Sequence, residues 1–270
     1  MKSRVDSEQL RRGGALNRLK GLWREGRCTL GAIATIPAVQ TIQVMARAGL
    51  DWVIIDLEHG VIDLGALHAM IAATAGTPLV PLVRVTSGAA WHAKAPLDFG
   101  ALGVDFPMTT RRADAEAIVR AVRYPPEGER MWGPFYAPLH WNLTMQEYLD
   151  TANEEVLAIG TVEHVDALET IDEVVTVEGL DLLFIGPGDL ATSMGLKGRP
   201  EDPRVVDAIA RFEAAIRASP VILGGVARTP EQANAMIGRG YRALVVGFDW
   251  SLLQRGIDSA TAGVDRGGAR

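Results

Sequence analysis

The stretch WVIIDLEHG, Trp52 to Gly60, sets the reading of the whole chain. Val53, Ile54 and Ile55 form a continuous apolar run, the pattern of a strand covered on both faces rather than one with a wet side. Asp56, Glu58 and His59 follow at once. A strand buried on both faces has no place for three titratable groups unless its carboxyl end opens into a site, as strand ends do in parallel α/β folds.

Seven further runs of the same kind flank this one. They are Thr29–Thr35, Pro78–Val85, Gly103–Met108, Val156–Glu163, Leu180–Gly186, Pro220–Ala227 and Ala243–Asp249. Helical patterns fill the gaps. AVQTIQVMARAG places Val39, Ile42, Met45 and Ala46 on one face and stops at Gly49. RRADAEAIVRAVRY does the same with Ala117, Ile118, Ala121 and Val122, and TPEQANAMIGRG opens on a Thr-Pro cap. Eight strands alternating with helices, evenly spaced and without a linker, point to an α/β fold of the (β/α)8 TIM-barrel type; a doubly wound sheet is the alternative. Residues 1–25 read as an extra amphipathic helix that plugs or flanks the barrel, 26–262 as the single barrel domain, and 263–270 as a disordered tail. Residues 124–155, rich in proline with Trp132, Trp141 and His140, form a long connection, read equally as a lid or as an ordered surface excursion or oligomer contact.

Composition narrows the function. The 270 residues are 48% hydrophobic, enough for a large core, and the net charge of -6 argues against a nucleic-acid partner. No apolar run approaches the roughly 20 residues of a membrane span, so no membrane partner is expected. The amino-terminal residues are too polar for a signal peptide. Cys28 is the only cysteine, which excludes an internal disulfide and a zinc–cysteine cluster and fits a reducing cytoplasm.

Strand ends of a barrel converge on one mouth. Here they would bring together Asp56, Glu58, His59, Arg84, Glu163, His164 and the Gly186–Asp189 run, GPGD. Glu163 and Asp189 suit a hard divalent cation such as Mg²⁺ or Mn²⁺; the bland alternative is ordinary mouth acids, with Asp189 capping a helix. The small GPG run lets backbone amides approach a ligand, or serves only as a tight turn. Arg84 could hold an oxygen that becomes an enolate, or form a salt bridge to Asp56 or Glu58, or both. His59 is the natural proton carrier, with Asp56 and Asp98 as candidates to orient it. His68, His92 and His140 lie in helical or loop contexts.

Taken together, DWVIIDLEHG, PLVRV, LDFGALGVDFPM, AVRYPPEGERMWGP and TVEHVDALETIDEVVTVEGLDLLFIGPGDLATSMG resemble the HpcH/HpaI aldolase family of metal-dependent pyruvate aldolases, from about Asn17 to Leu253. The resemblance implies a TIM barrel, assembled as a homo-hexamer from dimers that exchange their last helix. It implies Mg²⁺, Mn²⁺ or Co²⁺ held by Glu163 and Asp189, His59 as proton acceptor, Arg84 as enolate stabiliser, and Asp98 as the acid that makes the histidine more basic. It also implies substrate contacts at Arg84, Gly188, Asp189 and the position of Thr161. Two departures stand out. The family's glutamine two residues before the metal glutamate is here Thr161, and Asp105 and Phe106 replace small aliphatic residues. The first strand also lacks the family's frequent tryptophan.

The chemistry expected is a reversible retro-aldol cleavage of a 4-hydroxy-2-oxo acid to pyruvate, or a close 2-oxo acid, and an aldehyde. His59 takes the C4 hydroxyl proton, while Arg84 and the metal hold the enolate. The alternatives are an oxaloacetate-type decarboxylase using the same enolate, cleavage of a CoA thioester, for which no basic cluster is evident, and a non-catalytic ligand-binding barrel.

Overall fold

The computed structural model describes residues 17–265. Eight parallel strands close into a barrel in sequence order. They are β1 (Thr29–Ala34), β2 (Trp52–Asp56), β3 (Val80–Arg84), β4 (Gly103–Phe106), β5 (Leu157–Val162), β6 (Leu182–Ile185), β7 (Ile222–Val226) and β8 (Ala243–Phe248). Each falls within its expected apolar run. Because β1 pairs with both β2 and β8, the sheet has no edge, and the doubly wound alternative is excluded. The register sets up the site: Asp56 lies opposite Arg84, Arg84 opposite Asp105, and Asp105 opposite Ile159.

The strands bury two separate apolar layers, which is why they read as unbroken hydrophobic runs. Outward side chains such as Val53, Ile55, Val83 and Val104 pack against the helices. Inward ones, among them Ile33, Trp52, Ile54, Leu82, Ile159 and Phe184, fill the barrel. Helix Val39–Ala48 buries Ile42 and Met45 and stops at Gly49, whose φ of 88° is left-handed. Helix Pro230–Gly238 is capped by Thr229, whose hydroxyl accepts from the Gln232 N–H.

The expected amino-terminal helix is described only over Arg18–Arg24; residues 1–16, and 266–270 of the expected disordered tail, lie outside the described residues. It plugs the barrel. Leu19, Leu22 and Trp23 join the interior cluster. Asn17 caps the helix and donates to the carbonyls of Leu102 and Glu155, and both indoles, Trp23 and Trp52, donate to Thr29 Oγ1 at 3.1 Å. All these partners lie at the amino-terminal ends of strands, so the opposite end is the mouth.

Residues 124–155 contain two helices, Ala137–Trp141 and Met145–Glu155. Trp141 Nε1 donates to the Gly100 carbonyl just before β4, and the Asn17 N–H donates to Glu155. The two helices therefore pack at the plugged end, while Met131, Trp132 and Phe135 before them are exposed. No helix among the described residues is long and apolar enough to cross a membrane.

Gly31 tests this interior. The Trp52 indole lies across it, so an added Cβ would sit 2.1 Å from ring carbons. Gly31→Ala is expected to lower the urea midpoint by the equivalent of about 1–3 kcal/mol, the usual cost of overpacking. An unchanged midpoint would show that the plugged end is loosely packed.

Candidate functional site

The centre of the mouth is a buried fork. Arg84 Nε donates to Asp56 Oδ1 at 2.9 Å and Nη2 donates to Oδ2 at 2.7 Å, joining the ends of β3 and β2. Asp56 Oδ1 also accepts from the backbone N–H groups of Glu58 and His59, at 3.0 and 3.4 Å. The turn after β2 thus folds around one carboxylate, and Gly60 closes it because a Cβ there would meet the Asp56 carbonyl at 2.2 Å. Both readings of Arg84 remain open: its salt bridges to Asp56 and Glu58 exist, and Nη1 has no hydrogen bond among the described residues.

Glu58 Oε2 lies 3.2 Å from Arg84 Nε, but that N–H points to Asp56, so Glu58 has a charge neighbour without a hydrogen bond. Burial raises its pKa against the pull of Arg84 and His59. His59 Nε2 is 3.6 Å from the same oxygen, and the ring is 61% exposed at the rim.

Across the mouth, Glu163 follows β5. Its Oε1 accepts from the Met108 N–H at 2.8 Å, which the left-handed backbone of Met108 (φ 58°) presents. Sequence reasoning missed this contact, and no side-chain pattern signals it. Gly186 leaves Glu163 room, since a Cβ there would lie 2.9 Å from Oε2. Burial lifts the Glu163 pKa to about 7; the Met108 N–H opposes this, and the charges of Asp105, Asp189 and Glu58 add to it. Asp189 lies in the first turn of helix Pro187–Ser193, whose cap is Gly186 and not Asp189.

The two departures noted in the sequence are one feature. Thr161 Oγ1 donates to Asp105 Oδ1 at 2.9 Å, linking β5 to β4 inside the barrel. Burial raises Asp105 to a pKa of about 6, although Arg84 and Thr161 pull it down.

Arg84, Asp105, Thr161, Glu163, Gly188 and Asp189 line one cavity of about 810 Å³, walled below by Ile33, Ile54 and Phe184. His59 stands beside it and not in its wall. Asp98 is not brought to His59 within the chain: it accepts from Lys94 at 2.7 Å and lies 3.6 Å from Arg130. The Lys94–Asp98 spacing of four residues on one helix was the available signal for that pairing.

The mouth is short of positive charge. Glu58, Asp105, Glu163 and Asp189 act on one another's charge, and Arg84, the arginine beside them, is already committed to Asp56, while Arg228, Arg239 and Arg255 line other parts of the cavity. Glu163 and Asp189 therefore fit a divalent cation. Among the described residues no group of three or more His, Cys, Asp or Glu side chains could hold a metal alone, so the pair would leave positions for water and substrate.

Residues 37–255 match the model of the HpcH/HpaI aldolase/citrate lyase family. The chain is 36% identical over 255 residues to a hydroxypyruvate/pyruvate aldolase of Pseudomonas aeruginosa, covering 94% of each. It is 31% identical over 247 residues to a 4-hydroxy-2-oxo-heptane-1,7-dioate aldolase of Escherichia coli, covering 91% of this chain and 94% of that one. The crystal structure of an HpcH/HpaI aldolase/citrate lyase family protein from Burkholderia cenocepacia J2315 superposes with a TM-score of 0.84 at 32% identity, over 90% of this chain and 97% of the other.

The Asp105 shift carries a stability consequence. Folding raises its pKa from 3.8 to about 6, so the folded state binds more protons in between. The stability of the protonated form is complete below pH 3.8 and is lost as pH rises through 6. Urea unfolding in chelator from pH 4 to 8 is expected to show Asp105→Asn gaining on the parent with rising pH, by up to roughly 3 kcal/mol. A gap that stays constant with pH would mean that Asp105 titrates as it does when unfolded.

Proposed function

Because the chain belongs to the HpcH/HpaI aldolase/citrate lyase family, we propose that it is a metal-dependent carbon–carbon lyase, cleaving a 4-hydroxy-2-oxo acid reversibly to an aldehyde and pyruvate or a close 2-oxo acid. The observation that carries this reading is the guanidinium of Arg84, fixed by Asp56 and lining the same cavity as Glu163 and Asp189. The names of the aldolase relatives favour it over the decarboxylase and the non-catalytic barrel.

The residues divide the work as follows. Arg84 keeps Nη1 for the 2-oxo oxygen, and its position is locked by the two bonds to Asp56, so little reorganisation is needed as charge develops. His59, beside Glu58 at the rim, accepts the C4 hydroxyl proton. The C3–C4 bond breaks, its electron pair forms the C2–C3 double bond of the enolate, and the aldehyde leaves through the mouth. Arg84 holds the enolate oxygen until C3 is protonated. Gly188, without a side chain, leaves room for the substrate against the backbone next to Asp189. A divalent cation held by Glu163 and Asp189 (Mg²⁺, Mn²⁺ or Co²⁺) would supply Lewis acidity at the 2-oxo oxygen. A Schiff base is disfavoured, since no lysine lines the cavity and Lys94 is bonded to Asp98. Among the acids, Asp56 and Glu58 support His59; Asp98 makes no contact with it in the chain.

The reading extends to a homo-oligomer of hexameric form. Its support is the exposed apolar face of helix Asp249–Thr261, with Trp250, Leu253 and Ile257. The reducing cytoplasm belongs to the same proposal, supported by Cys28 being the only cysteine of the sequence and free.

A panel of 4-hydroxy-2-oxo acids, assayed for pyruvate release with Mg²⁺, Mn²⁺, Co²⁺ or chelator, tests the function. Turnover is expected with at least one ion and none in chelator. His59→Ala should lower kcat by about 10²–10⁴. Arg84→Lys, which keeps the charge but loses the fork, should lower kcat/KM by a comparable factor. Glu163→Gln and Asp189→Asn should each abolish Mn²⁺ binding in titration calorimetry. Pyruvate release that survives chelator, or that is trapped on lysine by borohydride, would count against this mechanism. Light scattering should give a mass near six times the 29.0 kDa chain; a monomer would remove the oligomer from the proposal.

A further inference from the structure

Aldol cleavage moves two protons. His59, at the rim, takes the one on the C4 hydroxyl; C3 of the enolate must receive the other. Few groups at the mouth are free to give it. Glu163 and Asp189 suit the cation. Asp56 already accepts four hydrogen bonds, two from Arg84 and two from backbone N–H groups. Glu58 stands with His59 at the rim. Tyr241 lines the cavity, but its hydroxyl donates to Glu213 Oε1 at 2.8 Å. Asp105 remains. It is 2% exposed and lines the cavity, and its Oδ2 accepts no hydrogen bond among the described residues.

Asp105 is also in the right place. It is the register partner of Arg84 on the neighbouring strand, and both side chains line the cavity. The two groups feel each other's charge without sharing a hydrogen bond, so Oδ2 is not spent on the guanidinium. Adjacent strands lie about 4.8 Å apart. In an enolate whose oxygen rests on Arg84, C3 is only two bonds from that oxygen, and turning C3 toward β4 brings it to the Asp105 carboxyl. Thr161 Oγ1 donates to Oδ1 from the β5 side at 2.9 Å, which leaves Oδ2 as the oxygen that carries a proton. Burial raises the Asp105 pKa to about 6 against the pull of Arg84 and Thr161, so acid and carboxylate are both accessible near neutrality. A group that gives a proton in one direction and takes it in the other needs that balance.

We propose that Asp105 is the general acid that protonates C3 of the enolate, and the general base that removes the same proton in the reverse direction, with Thr161 as the positioning residue that aims its free oxygen. This rests on the aldolase reading above and deepens it. In cleavage, a lone pair on the enolate oxygen re-forms the C2–O double bond, and the C2–C3 π pair takes the proton from Oδ2. A C3–H bond forms, and the O–H pair stays on Asp105. In the reverse direction, Oδ2 takes the C3 proton, the C–H pair becomes the C2–C3 double bond, and the carbonyl π pair moves onto the oxygen beside Arg84. Asp105 regains its proton from water at the open mouth, where His59 releases the one it took.

Exchange of the C3 protons of pyruvate for deuterium in D₂O isolates this step, because it needs no aldehyde. It is followed by ¹H NMR with Mg²⁺ present and corrected for exchange without protein. Asp105→Asn keeps the size and can still accept from Thr161, but it cannot carry the proton; it is expected to lower the exchange kcat at least about a hundredfold while the KM for pyruvate stays within about threefold. Thr161→Val should lower kcat by roughly tenfold, again with the loss in kcat and not in KM. Exchange by Asp105→Asn within about threefold of the parent would mean that water protonates C3, and overturns the proposal, as does a loss that falls on KM alone. Should Asp105→Asn fail to fold, a Thr161→Val kcat equal to the parent's overturns it equally. The two readings fail differently. A parent that cleaves a 4-hydroxy-2-oxo acid but exchanges pyruvate no faster than the protein-free control removes the role of Asp105 alone, whereas a parent that does neither removes the aldolase reading with it.

Discussion

The guanidinium of Arg84 stands among five carboxylates at the mouth of this barrel, and its commitment to one of them shapes the rest. Asp56 takes two N–H groups of Arg84 and two backbone N–H groups besides, so its charge is satisfied without solvent. Removing one member of such a pair strands the other in a low-dielectric site, at a cost of about 3–5 kcal/mol. The pair thus fixes strand ends, turn and arginine together. It also leaves Glu58, Asp105 and Glu163 with too little positive charge, and the proton affinities of all three rise. Burial is the first cause in each case, and mutual repulsion adds to it. A mouth built this way is unfavourable when empty and is relieved by a cation, a proton or a donor group. Affinity for such ligands is therefore the counterpart of a local loss of stability.

That division explains what could be read in the sequence. Strands covered on both faces must be apolar throughout, so all eight showed as runs, and the charged residues that end them marked the mouth. WVIID and its DLEHG continuation hold both signals within nine residues. Position on a rim, however, does not give pairing. Asp105 and Thr161 are 56 residues apart, and each alone was a departure from a family pattern; only the β4–β5 register makes them one hydrogen-bonded unit. The Met108 N–H on Glu163 depends on a left-handed backbone at a residue that seldom adopts one, and nothing in MTT announces it. Asp98 shows the same limit within one chain. The motif placed it in a histidine's service, whereas Lys94, one turn away on the same helix, had the nearer claim within the chain. Residues 124–155 carried no periodic signal strong enough to show that Trp141 would anchor them to the plugged end.

The two ends of the barrel also differ in what they can tolerate. At the plugged end, Leu19, Leu22, Trp23 and Trp52 make an apolar stack in which every polar atom named has a partner, and Gly31 leaves no spare volume. Dense packing of this kind transmits any added methyl group as strain. At the open end, the cavity already holds unfilled space, and Glu58 Oε2 near Arg84 accepts no hydrogen bond among the described residues. Substitutions at Asp105, Thr161 or Asp189 remove charge repulsion or fill volume, and neither act threatens the apolar layers below. Arg84 and Asp56 are the exception, since they belong to both ends of the argument: catalytically useful at the cavity wall, and structurally required where β2 meets β3. Specificity is therefore free to drift around a centre that is not. The Asp105–Thr161 pair lies on the drifting side of that boundary, two strands' width of interior wall that can be repolarised while the arginine fork beside it stays in place.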